Sequence, residues 1–189
     1  PTDDHWVGAA GTTVLNEATG KRLLRVHGVP VPEGAVCTSA GAAVIAAADL
    51  GGPVAVKALG VAHKTEHPAL RLGLVEIVEL LVGVQNDPVF GPVLSLGVGG
   101  VLTELVRDVV HLLLPVAATD IRQALLGLRC APLLTGYRGG RAADLDGAVD
   151  AARRVAALVL AMPEVVALEV NPLIVTADGA WACDALVVA

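Results

Sequence analysis

Hydrophobic and polar residues alternate along this chain with two different periods, and each change of period marks an element. In residues 16–27, Ala18, Leu23, Leu24 and Val26 fall on one helical face, with Gly28 as a stop and Pro30 and Pro32 behind it. Ser39 is placed to cap a second helix over residues 40–50, which Gly51-Gly52 ends. Residues 53–59 (PVAVKAL) form an apolar run that predicts a buried strand with Lys57 in its middle. A polar loop follows over residues 60–68. Residues 79–85 and 91–96 read as two strands, and the turn Asn86-Asp87-Pro88 between them predicts a hairpin. A further strand is predicted at 109–114, and helices at 120–128 and 145–160, the second capped by Asp144. The chain ends in a second hairpin, 165–175 and 180–188, around the turn Ala177-Asp178-Gly179.

Helices alternating with strands, together with two hairpins, place the chain in the α+β (mixed α/β) class. No internal repeat or low-complexity tract interrupts it, and the opening PTDDHWVGAAGT reads as a linker or arm. Aromatics are only 2% of a chain that is 54% hydrophobic, so the core is built from Val, Leu and Ala. That composition suits a mixed or parallel sheet covered by helices. A mean hydropathy of +0.69 raises the question of a membrane. No uninterrupted apolar run reaches the roughly 18 residues a span needs: His111 and Pro115 break the stretch 109–118, and Pro163, Glu164 and Glu169 break 155–170.

Net charge is −6, and no basic run exceeds Arg153-Arg154, which argues against nucleic acid as the main partner. Cys37, Cys130 and Cys183 are far apart and odd in number, so they make neither a CxxC metal site nor a disulfide framework. They read as small buried hydrophobes of a reducing, cytoplasmic compartment. No signal-peptide pattern stands at the start, and Pro1 reads as an internal position of a longer or processed chain.

Three constellations carry chemistry. Lys57 inside an apolar strand either snorkels or presents a cation to a phosphate. The loop His63-Lys64-Thr65-Glu66-His67 is either a solvated loop or one that carries a phosphoryl group on imidazole nitrogen. Gly97-Val98-Gly99-Gly100, with Glu104 close behind, is either a tight turn or a place where backbone N–H groups approach phosphate. Joined to it is the terminal hairpin. Glu169 and Asn171 lie two apart on one strand and share a face, while Asp184 on the partner strand is placed to join them. Hard oxygen donors grouped this way suit Mg²⁺ on nucleotide phosphates.

PVAVKALGVAHKT, GVQNDPVFGPVLSLGVGGVLTEL and LEVNPLIVTADGAWACDAL resemble, in this order, the ATP-grasp domain of NDP-forming acyl-CoA synthetases of the acetate–CoA ligase (ADP-forming) type. The nucleotide-binding subunit of succinyl-CoA synthetase has a similar E-x-N-P-L hairpin. The resemblance implies an ATP-grasp fold, two subdomains with a nucleotide cleft between them. On the chain these are an arm at 1–11, an N-terminal subdomain at 12–78 and a C-terminal subdomain at 79–189 bearing the hairpin. It implies ATP/ADP and Mg²⁺ as cofactors, and formation of acyl-CoA, ADP and phosphate from an acid, CoA and ATP through phosphohistidine relays. By the same resemblance His63 is the mobile-loop histidine that shuttles phosphate. Lys57, Lys64, Gly97, Gly99, Gly100 and Glu169 meet the nucleotide, and Asn171 and Asp184 hold the metal. Glu79 matches an acidic position of unassigned role. CoA-binding and ligase domains, on the same chain or a partner subunit, are the implied partners.

Two departures stand out. Pro68-Ala69-Leu70 replaces a glycine-rich G-G-V, and the stretch between Leu74 and Glu79 lacks the few tens of residues that bind adenine and ribose in the family. Either those residues belong to the parent protein and the numbering runs on across the gap, or this is a degenerate domain unable to hold adenine. The intact phosphate and metal motifs favour the first. The second yields the rival reading, a regulatory module that senses nucleotide or CoA metabolites for an attached partner.

Overall fold

The computed structural model describes residues 5–7 (backbone only), 12–52, 54–57, 59 and 77–189. Two short strands open it, β1 (His5–Val7), within the stretch expected to be an arm, and β2 (Thr13–Leu15), paired antiparallel. The Asn16 side chain accepts from Thr19 N–H at 3.0 Å and starts helix α1 (Glu17–Val26). Ser39 does the same for Ala42 N–H, starting α2 (Ala40–Leu50), which Gly51 ends in the left-handed region at φ 69°. These caps satisfy amides that the first turn leaves without intrahelical partners.

Strands β3 (Val78–Asp87) and β4 (Gly91–Val98) form the expected hairpin. Its turn is held by the Asp87 carboxylate, which accepts from the Val89 and Phe90 amides at 2.8 Å each. After a single 3₁₀ turn come α3 (Thr103–Val106), β5 (Val109–Leu113), α4 (Ala118–Gly127), α5 (Ala131–Leu134) and α6 (Leu145–Ala161). Asp144 caps α6, accepting from Gly147 N–H at 2.9 Å. The terminal strands are β6 (Ala167–Thr176), β7 (Gly179–Ala182) and β8 (Ala185–Val188).

One eight-stranded sheet runs in the order β1-β2-β8-β6-β3-β4-β5, with β7 also paired to β6. Among the described residues every pairing is antiparallel, which corrects the expectation of a parallel or mixed sheet. Its alternation explains this: a sheet with one face covered and one open alternates apolar and polar, as antiparallel sheets do. Val78, Leu80, Val82 and Val84 of β3 point to the covered face, with Leu94 and Leu96 of β4 and Leu168 and Val170 of β6. There α4 and α6 pack, supplying Ile121, Leu125, Val155 and Leu158. α1 sits on β8, where Gly20 leaves room for Ala185 and Val187.

The predicted strand at 53–59 is also corrected. Residues 54–57 form no strand, Val56 is 81% exposed, and no neighbour in the sheet order accepts them. A short apolar run reads the same whether or not a partner strand exists, so periodicity alone misassigns it. α2 shows a related feature: none of its residues is buried, and Val44 and Ile45 are 71% and 66% exposed. Among the described residues no helix is long and apolar enough to cross a membrane.

Candidate functional site

Several of the residues singled out in the sequence gather around a bulge between β3 and β6. Leu80 pairs with Leu173 and Val82 with Val170, so Leu81 alone stands against both Asn171 and Pro172. On the other flank of β6, Leu173 pairs with Ala182 and Val170 with Ala185, which leaves Cys183 and Asp184 as the break between β7 and β8. Cys183 N–H donates to Pro172 O at 3.0 Å, so Asn171 and Asp184 stand opposite each other across the break. Bulges re-aim side chains and recur beside functional sites.

Asn171 Oδ1 accepts from Gly100 N–H at 2.7 Å, tying β6 to the glycine turn that follows β4. Gly99 N–H donates to Glu79 O at 2.8 Å, and the Glu79 carboxylate lies directly over Gly100, where any Cβ would strike it. Gly100 also has φ +65°, a left-handed conformation that favours glycine. Gly97 lies within β4, where a Cβ would come 2.7 Å from Asp108 O and 2.8 Å from Val109 Cγ2. These glycines are therefore explained by close packing, and the amides of Gly99 and Gly100 are engaged by the protein itself. Glu104 lies on α3, exposed.

Lys57 reaches the break between β7 and β8 from outside the sheet. Its ammonium donates to Cys183 O at 2.9 Å and to Glu17 Oε1 at 3.1 Å, and lies 3.5 Å from Asp184 Oδ2. Burial works against its charge, but the carboxylates of Asp184 and then Glu17 outweigh it and hold its pKa above the ordinary lysine value. Glu169 is exposed, with Oε1 at 3.5 Å from Asn171 Nδ2. Beyond it Gly83 opens a groove of about 320 Å³ across the sheet, bounded by Glu169 and Leu186 on one side and by Ser95 and His111 on the other. Ser95 Oγ and His111 Nδ1 are hydrogen-bonded at 2.9 Å, a pair that sequence reading passed over because sixteen residues separate them.

The structure thus brings together Lys57, Asn171 and Asp184, with Glu169 and the glycine turn adjoining. His63 and Lys64 lie outside the described residues. Among the described residues no three His, Cys, Asp or Glu side chains cluster to hold a metal. The oxygens of Asn171 and Asp184 nevertheless fit Mg²⁺, which commonly takes one or two protein ligands and completes its shell with phosphates and water. Glu17 is the residue that sequence reading missed; its only signal was an acidic side chain at a helix start.

Comparison with known proteins follows the same lines. The ATP-grasp domain family matches the chain over residues 7–77 and 75–188. The chain is 26% identical to the beta subunit of acetate–CoA ligase (ADP-forming) I of Pyrococcus furiosus, over 90% of each chain. It is 30% identical to a trans-feruloyl-CoA synthase from an unknown prokaryotic organism, covering 92% of this chain and 30% of that one. The chain therefore spans most of the separate beta subunit and under a third of that longer synthase. Among solved structures, the dinucleotide-forming acetyl-coenzyme A synthetase 1 of Ca. Korarchaeum cryptofilum, with coenzyme A, Ca-AMPCP and HgCl⁺, matches at a TM-score of 0.81 and 25% identity, over 93% of both chains. The same synthetase with coenzyme A and Mg-AMPPCP, its phosphohistidine segment pointing towards the nucleotide binding site, matches at 0.80 and 27% identity over 93% of this chain and 92% of that one. The alignment with the Pyrococcus furiosus beta subunit of ligase II runs over 220 positions while covering 95% of a 189-residue chain. A few tens of its positions therefore stand opposite no residue here, and the two matched parts of the family meet at 75–77.

Proposed function

The chain belongs to the ATP-grasp domain family, and on that premise we propose that it is the nucleotide-binding module of an ADP-forming acyl-CoA synthetase. The observation that carries the proposal is the bulged hairpin, which sets Asn171 opposite Asp184 with the Lys57 ammonium on the Asp184 carboxylate. Asn171 and Asp184 would hold Mg²⁺, which when bound bridges phosphate oxygens and offsets their charge. Lys57 binds and orients the phosphates as a point cation. Glu169 and Lys64 add contacts to the nucleotide. Gly97, Gly99 and Gly100 serve the site indirectly, by seating the glycine turn tightly against the sheet beside Asn171.

Within this reading His63 receives the γ-phosphoryl group. Its neutral imidazole nitrogen attacks phosphorus, the P–N bond forms as the bond to the ADP oxygen breaks, and ADP leaves. The phosphoryl group then passes to a CoA-binding and ligase component, in the same chain or a partner subunit, where acid and CoA become acyl-CoA and phosphate. The relatives that carry this chain's equivalent as a separate beta subunit support a partner of that kind.

A second reading has one observation behind it. The positions unmatched in the relatives' alignments fit a grasp domain that has lost part of its adenine site and serves as a sensor for an attached partner. Incubating the full-length protein with Mg²⁺ and γ-labelled ATP separates the two, any second relay histidine being replaced beforehand. Acid-labile label that disappears in His63→Ala is the expected result. Nucleotide binding with no label on protein would sink the relay and leave the sensor.

A further inference from the structure

Glu17 occupies the centre of the cation's environment. It is the first residue of α1, its side chain is 8% exposed, and its Oε1 lies 3.1 Å from Lys57 Nζ and 3.6 Å from Lys21 Nζ. Lys57 belongs to a segment with no strand or helix at 54–57. A lysine stem there is free to sample many rotamers unless partners fix its head. All of its partners are themselves fixed. Cys183 is hydrogen-bonded to Pro172 in the bulge, Asp184 Oδ1 accepts from Ala185 N–H at 2.9 Å, and α1 is seated on β8 through Gly20. Glu17 is the one partner anchored outside the hairpin, and it draws the ammonium to the edge that carries Asp184.

We infer that Glu17 is a positioning residue of the nucleotide site, holding the Lys57 ammonium beside Asp184 ready for transfer to a nucleotide phosphate. The inference rests on the nucleotide-binding reading above. It makes a prediction whose sign separates it from a purely local role. If Glu17 served only α1, through its first turn and Lys21, then removing its charge near an anionic ligand would leave nucleotide affinity unchanged or raise it. As a positioning residue, its loss lowers affinity, because Lys57 must be ordered at the moment of binding.

The test is calorimetric titration of Mg-ADP into the full-length protein as wild type, Glu17→Gln, Lys57→Gln and the double variant, with thermal melts to confirm folding. Expected are a loss of about tenfold or more for Lys57→Gln, about three- to tenfold for Glu17→Gln, and no further loss when Glu17→Gln is added to Lys57→Gln. Glu17→Asp keeps the charge but shortens the reach and is expected to weaken binding as well, which serves if Glu17→Gln folds poorly. Unchanged or tighter binding in both Glu17 variants, or a Glu17→Gln loss that persists undiminished in the Lys57→Gln background, overturns the inference alone. A folded wild-type protein that binds no Mg-ADP overturns the nucleotide reading and this inference with it.

Discussion

Replacing Gly99 by alanine tests whether the glycine turn is defined by space. Its φ of −97° is open to any residue, so backbone strain does not enter. The added Cβ would come 2.5 Å from Leu80 O and 2.9 Å from Leu81 N, against backbone in the middle of the sheet rather than a side chain able to rotate away. Overpacking of this kind costs about 1–3 kcal/mol. The Gly99 N–H to Glu79 O bond at 2.8 Å is stretched as the turn lifts, adding about 1 kcal/mol. A total of about 2–4 kcal/mol lowers Tm by about 5–15 °C in a domain of this size. Thermal unfolding followed by circular dichroism reads it directly, with a urea titration as a second measure. Gly127→Ala is the control. That glycine is the last residue of α4, nothing lies within 4 Å of its added Cβ, and a gain of up to about 1 kcal/mol is expected. A Gly99→Ala shift below about 2 °C, or one no larger than that of Gly127→Ala, would refute the reasoning.

Three further outcomes are expected. Asn171→Ala leaves the Gly100 N–H without the acceptor it has at 2.7 Å, costing about 1–2 kcal/mol in urea unfolding; a neutral effect would show that water replaces the carboxamide. Asp144→Ala removes the cap of α6, and about 1 kcal/mol should be lost by the same assay. Burial lowers the Lys57 pKa, but Asp184 and Glu17 raise it further than burial lowers it. The lysine's stabilising contribution is thus fully present below its ordinary 10.5 and is lost as pH rises through the raised value. Melting temperature should fall more steeply above pH 10.5 in wild type than in Lys57→Gln, and parallel profiles would contradict the ion-pair assignment.

Local signals were legible in the sequence wherever the physics is local. Ser39 and Asp144 cap their helices through amides three residues away, and Asp87 closes its turn within three. What depends on a distant partner was hidden. The run 53–59 has the composition of a strand, yet residues 54–57 pair with no strand among the described residues, and α2 is mostly apolar yet buries none of its residues. The final strand was read as continuous, whereas Cys183 and Asp184 break it opposite the β6 bulge. The juxtaposition of Asn171 and Asp184 was legible because one hairpin carries both. Glu17 was not, since forty residues separate it from Lys57. The packing that requires a bare Cα at Gly97, from Asp108 and Val109, was likewise hidden, because it comes from a neighbouring strand.

The most direct test of the central claim is equilibrium binding of ATP to the full-length protein with and without Mg²⁺, compared with Asp184→Asn. The account predicts saturable, one-site, Mg²⁺-dependent binding that weakens about tenfold or more when the Asp184 charge is removed. Binding that ignores both Mg²⁺ and Asp184, or a folded protein that takes up no ATP, would contradict it.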